Sequence, residues 1–239
     1  MKRFWKEVTV DATRGVRLDG KPLRTPGRVP LLLPTDALAE AVTEEWRASG
    51  ETVDPRAMPL TGLANAAIDR IAPDPAKFAA SLAEYAESDL LCYRADDPEE
   101  LAARQQAAWD PLLDWARTRY DVHFEIVTGI MHRPQPSATL ARLAEAVAAR
   151  GPFELAALSP LVTVTGSLVL ALALTEGAAD AETIWAAAHV DEDFQADRWG
   201  RDPLAEDALA VRRQDFDAAV RLLGLLEQVA DEADQPGLA

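Results

Sequence analysis

Residues 155–175, LAALSPLVTVTGSLVLALALT, carry no charge over 21 consecutive positions. A run of that kind belongs in lipid or in a protein interior. Ser159-Pro160 reads as an N-cap followed by proline at the first helical position, which predicts a helix over 160–175. About 15 helical residues span roughly 22 Å, short of the roughly 30 Å hydrocarbon core. The flanks are Glu154 and Glu176, not the Lys/Arg anchors that orient a span. The run is therefore expected to be a buried central helix, and no membrane insertion is expected. The rest of the 239-residue chain, 49% hydrophobic and 27% charged, can supply the surrounding core.

Charge limits the partners. Twenty-four Lys and Arg oppose 40 Asp and Glu, a net charge of −16, which disfavours nucleic acid and anionic membranes and suits a basic partner. The lone Cys92 can form neither an internal disulfide nor a multi-thiolate metal site. Between Leu91 and Tyr93 it reads as a buried structural thiol in a reducing compartment. The first residues, MKRFWKEVTVD, have no apolar signal region and run straight into alternation, so no presequence is expected.

The period of the pattern divides the chain. Phe4, Lys6, Val8 and Val10 alternate with Trp5, Glu7 and Thr9, and Val16 and Leu18 lead into the hairpin turn Asp19-Gly20. A third apolar run, 29–33, is bounded by Pro30 and Pro34 and reads as an edge or irregular strand. Thr35 then caps a helix to about Ser49, with Leu38, Val42 and Trp46 on one face, and a second helix is predicted over 60–71. Pro73-Asp74-Pro75 combines a linker signal with a helix start. It places the domain boundary between 1–72 and 73–239. The first part is nearly balanced, with 11 basic and 10 acidic residues, whereas the second has 13 and 30. Helices are predicted in the second part over 75–92, 98–118, 137–150, 160–175, 181–198 and 203–232, with Asp97 capping and Pro98 at a first helical position. Residues 122–127 are expected to be extended, and the tail from Val229 to fray. The expected fold class is α+β, a small N-terminal mixed β/α domain followed by a larger all-helical bundle.

Enzyme signatures are missing: no phosphate loop, dinucleotide fingerprint, His-Glu-x-x-His, Cys-x-x-Cys or Gly-x-Ser-x-Gly occurs. His189 with Glu192 is an isolated pair without the matching helix that a di-metal bundle needs. No catalytic residue, metal or cofactor is assigned. Two constellations stand out. Glu44-Glu45-Trp46 is followed by Met58-Pro59-Leu60-Thr61, in which Trp46 reads as a core anchor and the proline-bounded stretch as a connector. Asp191-Glu192-Asp193-Phe194-Gln195 is followed by Trp199-Gly200. Adjacent carboxylates repel one another and cannot share a helix face. The segment is either a solvated acidic face or an acidic hot spot beside apolar anchors, aimed at another protein.

In order, the chain carries RFWKEVTV (3–10), LDGKPLRTP (18–26), LPT (33–35), EEW (44–46), MPLT (58–61), ANAAID (64–69), SDLLCYR (88–94), RQ and WDPLL within 104–113, TGS with LALA (165–173) and DEDFQADRWG (191–200). In this order the sequence resembles the assembly chaperones that act on the alpha subunit of F1-ATPase, the catalytic sector of ATP synthase. The resemblance implies a β/α domain followed by an orthogonal helical bundle, no enzymatic activity and no cofactor. It implies that the chain holds the free alpha subunit, shields its apolar interface from aggregation and gives way to the beta subunit. It carries the family's acidic functional position onto Glu192, with Phe194, Gln195, Trp199 and Gly200 in the surrounding motif; Asp191 and Asp193 stand where relatives often have Glu, so the partner contact falls to Asp191, Glu192 or Asp193, beside Phe194, Gln195 and Trp199. Trp46, Trp5 and Gly200 are read as structural residues. A bacterial member would work in the cytoplasm, eukaryotic relatives in the mitochondrial matrix, and the free chaperone is expected to be monomeric. The competing readings are an interaction module with another client and an enzyme with a dispersed site.

Overall fold

The computed structural model describes residues 2–129, 131–200 and 202–227. The chain divides into two compact units, one of Met1–Pro75, Gly151–Ala157 and the chain from Asp217, the other of Ala76–Arg150 and Leu158–Phe216. The opening stretch of the first unit runs to Pro75, and segments from later in the chain also belong to that unit.

In the first unit, β1 (Val8–Val10), β2 (Val16–Leu18) and β3 (Lys21–Pro22) form an antiparallel sheet in sequence order, with Val8 opposite Leu18 and Leu18 opposite Lys21. Asp19 and Gly20 form the turn with φ of 48° and 76°, both in the left-handed region where glycine costs least. The Asp19 carboxylate then accepts from the N–H groups of Lys6 and Glu7, tying the turn to the segment before β1. The run 29–33 forms only isolated bridges, Gly15 with Leu32 and Arg24 with Pro30.

Helix α1 (Asp36–Ala48) begins as predicted, with the Thr35 hydroxyl accepting from Leu38 N and donating to Leu225 O. Leu38, Val42 and Trp46 are buried on its inner face. Trp46 meets Trp5 with ring centroids 5.1 Å apart. Helix α2 (Pro59–Ala66) continues through a wider turn, Ala67–Ile71. There the Asp69 carboxylate accepts from Thr25 Oγ1 and Gly27 N, fastening the loop after β3.

In the second unit α3 (Pro75–Ala83) gives way to short 3₁₀ turns at Glu84–Ser88 and Leu90–Cys92, so the helix predicted over 75–92 is broken. The break lies at Asp89, whose buried carboxylate accepts from Leu91 N and Val169 N. Burial raises the pKa of this acid against the pull of those hydrogen bonds and of the Ser167 hydroxyl. Next come β4 (Tyr93–Arg94), α4 (Glu99–Tyr120) and β5 (Val127–Thr128), with β4 and β5 paired in parallel. Pro98, not Asp97, occupies the N-cap of α4, and its carbonyl accepts from Leu101 N and Ala102 N. The segment predicted to be extended over 122–127 enters that pair only at its last residue.

Helix α5 (Ser137–Ala148) precedes α6 (Pro152–Thr165) and α7 (Leu168–Thr175). The uncharged run is thus two helices, with Pro160 inside α6 instead of opening a helix. Gly166, at φ 65°, turns the chain, and the Ser167 hydroxyl caps α7 through Leu170 N. Leu168 through Ala173 are all buried, as an all-round apolar helix requires. The unit boundary falls inside α6 and inside α10 (Pro203–Glu227). The helix predicted over 181–198 is likewise two, α8 (Ala181–Ala188) and α9 (Val190–Trp199), separated at His189. The His189 ring donates through Nδ1 to Trp185 O and stacks on Trp185 at 4.0 Å, which holds the break in place. The expected extension of α10 to 232 and the tail from Val229 lie outside the described residues.

Candidate functional site

The acidic segment forms α9, and the directions of its side chains separate residues that adjoin in sequence. Asp191 and Phe194, three apart, turn inward. Phe194 is buried, and the Arg104 guanidinium lies over its ring at 5.1 Å. Asp191 accepts from Gln105 Nε2 at 2.7 Å, while Gln105 Oε1 accepts from Ala95 N at 2.7 Å. Gln105 is itself buried, so its amide joins α9 to the chain leaving β4. Trp109, one turn along α4, donates through Nε1 to Ala187 O at 2.6 Å at the end of α8. Arg104 bridges Asp197 and Glu100, at 2.8 and 3.0 Å, and these carboxylates hold its pKa above the ordinary arginine value. Asp191 and Phe194 thus make contacts within the chain that fasten α9 in place.

The other face of α9 is open. Glu192, Asp193, Gln195, Ala196 and Trp199 line one side of a groove of about 310 Å³. The opposite side comes from α10, with Ala205, Glu206, Leu209 and Arg212, and Gly200 and Asp202 close the end where the two helices join. Trp199 is 73% exposed, and Leu204 and Val211 are also exposed on α10. Gly200 ends α9 at φ 84°, ψ 169°, a conformation open essentially to glycine alone, and its N–H donates to Ala196 O. Trp5 and Trp46 lie buried in the first unit.

The α10 wall escaped the sequence reading, although Asp202, Ala205, Glu206 and Leu209 follow helical spacing. An amphipathic helix start gives no local sign of which exposed stripe faces a neighbour. A second concavity of about 310 Å³ surrounds Arg119, Tyr120, Arg142, Arg150 and Glu176. Here Glu176 accepts from Arg119, Tyr120 and Arg150, so its carboxylate is held within an internal ion-pair network. Among the described residues no group of three His, Cys, Asp or Glu side chains is placed to hold a metal ion, and no helix is long and apolar enough to cross a membrane.

Residues 2–117 match the family described as ATP12 chaperone protein. Over 230 residues the chain is 23% identical to "Protein atp12, mitochondrial" of Schizosaccharomyces pombe, covering 90% of this chain and 78% of that one. The crystal structure of Atp12 from Paracoccus denitrificans superposes with a TM-score of 0.88 at 46% identity, covering 94% of this chain and 98% of the other. The Atu1473 protein of Agrobacterium tumefaciens gives 0.89 at 46% identity, covering 94% and 86%. The groove between α9 and α10 lies outside the family-matched stretch but within a chain that is aligned to these structures over nearly its whole length.

Proposed function

Because the chain belongs to the ATP12 chaperone family, we propose that it is an assembly chaperone for the F1 sector of ATP synthase, binding the free alpha subunit, shielding its subunit interface and yielding it to the beta subunit. The observation that carries this reading is the groove of α9 and α10. It offers an exposed indole and small apolar residues beside carboxylates, a modest apolar patch rimmed by charge that suits a client to be released. Glu192 is the acidic contact in this reading, supported by Asp193, Gln195 and Trp199. Release comes from competition by the next subunit, since the chain carries no recognisable nucleotide motif to drive a cycle. The work takes place where F1 is put together, in the cytoplasm of a bacterium or the matrix of a mitochondrion.

Co-purification of the tagged chain from its own cell, with identification of bound proteins, tests the proposal. Alpha subunit is expected in the wild-type eluate and is expected to be depleted from that of Glu192→Lys. Retention of some other protein with no alpha subunit would replace this client with another.

A further inference from the structure

The groove between α9 and α10 has a chemical order along its length. Glu192 and Trp199 stand seven residues apart on one stripe of α9, about 10 Å along the axis at 1.5 Å per residue. Ala196 lies between them and α10 contributes Ala205, two small side chains that leave room for a bulky one, with Leu209 as an apolar wall beside them. Glu192, Asp193, Asp202 and Glu206 stand against Arg212 among the lining charges, so the groove selects for cations. Its volume is at the low end of the roughly 300–1,000 Å³ of small-molecule pockets, and it is open, a shape suited to a few side chains of a larger partner.

Both walls are α-helices, whose backbone groups are already bonded within each helix, so a strand would find no ladder to join. The ridge of a third helix fits between two helices. We infer that the groove receives an amphipathic helical segment of the client that carries two cationic side chains seven residues apart, an arginine stacked on Trp199 and a second cation at Glu192, with a bulky apolar side chain between them against Ala196, Ala205 and Leu209. Arginine suits the Trp199 end because its planar guanidinium stacks on an indole while keeping donors for nearby carboxylates, which a lysine ammonium does less well. The inference takes the chaperone reading for the client's identity and the groove for the segment's form.

The probe is a fluorescent alanine-based helical peptide with two arginines seven residues apart and leucines between them, titrated against the full chain and followed by anisotropy. Wild type is expected to bind it, less tightly as salt rises. Glu192→Lys and Trp199→Ala are each expected to weaken binding by about tenfold or more, and Trp199→Phe by less than Trp199→Ala. Ala205→Leu, which fills the groove, is expected to abolish binding. A peptide with lysines is expected to bind several-fold more weakly, and one with glutamates not at all. Equal binding by wild type and Ala205→Leu, or of the glutamate peptide, would overturn the inference. So would a wild-type dimer in sedimentation that Ala205→Leu or Glu192→Lys dissociates, since the occupant would then be a second copy. A parallel arm measures capture of newly made alpha subunit by the same variants, each checked by thermal melt. Capture by wild type and undiminished capture by all the groove variants would refute the inference and leave the chaperone reading standing. Peptide binding with no capture of alpha subunit by wild type would do the reverse.

Discussion

The carboxylate of Glu45 closes the start of α2 by accepting two hydrogen bonds from Thr61, one from its N–H at 2.8 Å and one from its hydroxyl at 2.7 Å. Its other oxygen accepts from Leu60 N at 2.8 Å. Met58, at the N-cap position, makes no side-chain cap, so a residue of α1 supplies it across 16 positions of sequence. Hydrogen bonding to a charged group contributes about 1.5–3 kcal/mol, and removing the acceptor strands buried donors. Glu45→Ala is expected to lower unfolding free energy by about 2–3 kcal/mol and Glu45→Gln by less, measured by urea denaturation. Equal stability of all three proteins would show that water replaces the carboxylate.

Trp46→Ala is expected to cost about 3–5 kcal/mol, because the ring is buried against Trp5. Among the described residues neither indole N–H has a hydrogen-bond partner, so Trp46→Phe gives up area without orphaning a polar atom and is expected to cost markedly less. Thermal melts of the two variants check the order. Wild-type stability in Trp46→Ala with loss of client capture would move Trp46 to the contact surface.

Asp89 contributes to stability with a definite pH sign. Its folded pKa is raised, chiefly by burial, so its contribution is fully present below the unfolded carboxylate pKa and is lost as pH rises through the folded one. The stability difference between wild type and Asp89→Asn is expected to shift against wild type as pH rises from about 4 to 8. Asp89→Ala, which leaves Leu91 N and Val169 N without their acceptor, is expected to be destabilised at every pH. Denaturation curves for the three proteins across that range decide it, and a difference independent of pH would mean that the carboxylate stays ionised.

Cys92 is buried, and burial first, with the Asp89 charge second, pushes its thiol up to about 12. Only the thiolate attacks disulfide reagents, so labelling at pH 8 is expected to be roughly a thousandfold slower in the folded protein than in urea. Rapid labelling without denaturant would reveal local opening around the Leu90–Cys92 turn.

Asp191 and Glu192 adjoin, yet their substitution is expected to have opposite consequences. Asp191→Ala removes the acceptor of the buried Gln105 amide and is expected to cost about 1–3 kcal/mol of stability while sparing client capture by the folded fraction. Glu192→Lys faces the groove and is expected to change stability by no more than about 0.5 kcal/mol while weakening capture. Pull-down and thermal melt of each variant test both halves, and equal loss of capture from both would favour diffuse electrostatics over a directed contact.

Local rules carried much of this protein. The hairpin at Asp19-Gly20, the Thr35 cap, the Leu38–Val42–Trp46 face and the burial of most of the uncharged run all follow from neighbours within a few positions, through backbone sterics, hydrogen bonding or helical period. The family pattern of short motifs also lay in the linear chain. Tertiary structure decided where helices stop and which acid faces outward. Asp89 breaks one predicted helix while its carboxylate binds Val169 N, 80 positions away, and the second helical break is held by the stacking of His189 on Trp185. Of three consecutive carboxylates, Asp191 is turned to the interior by Gln105, 86 positions earlier. A helix backbone fixes the angle between successive side chains but not the rotation of the helix about its axis, and that rotation is set by what packs against it.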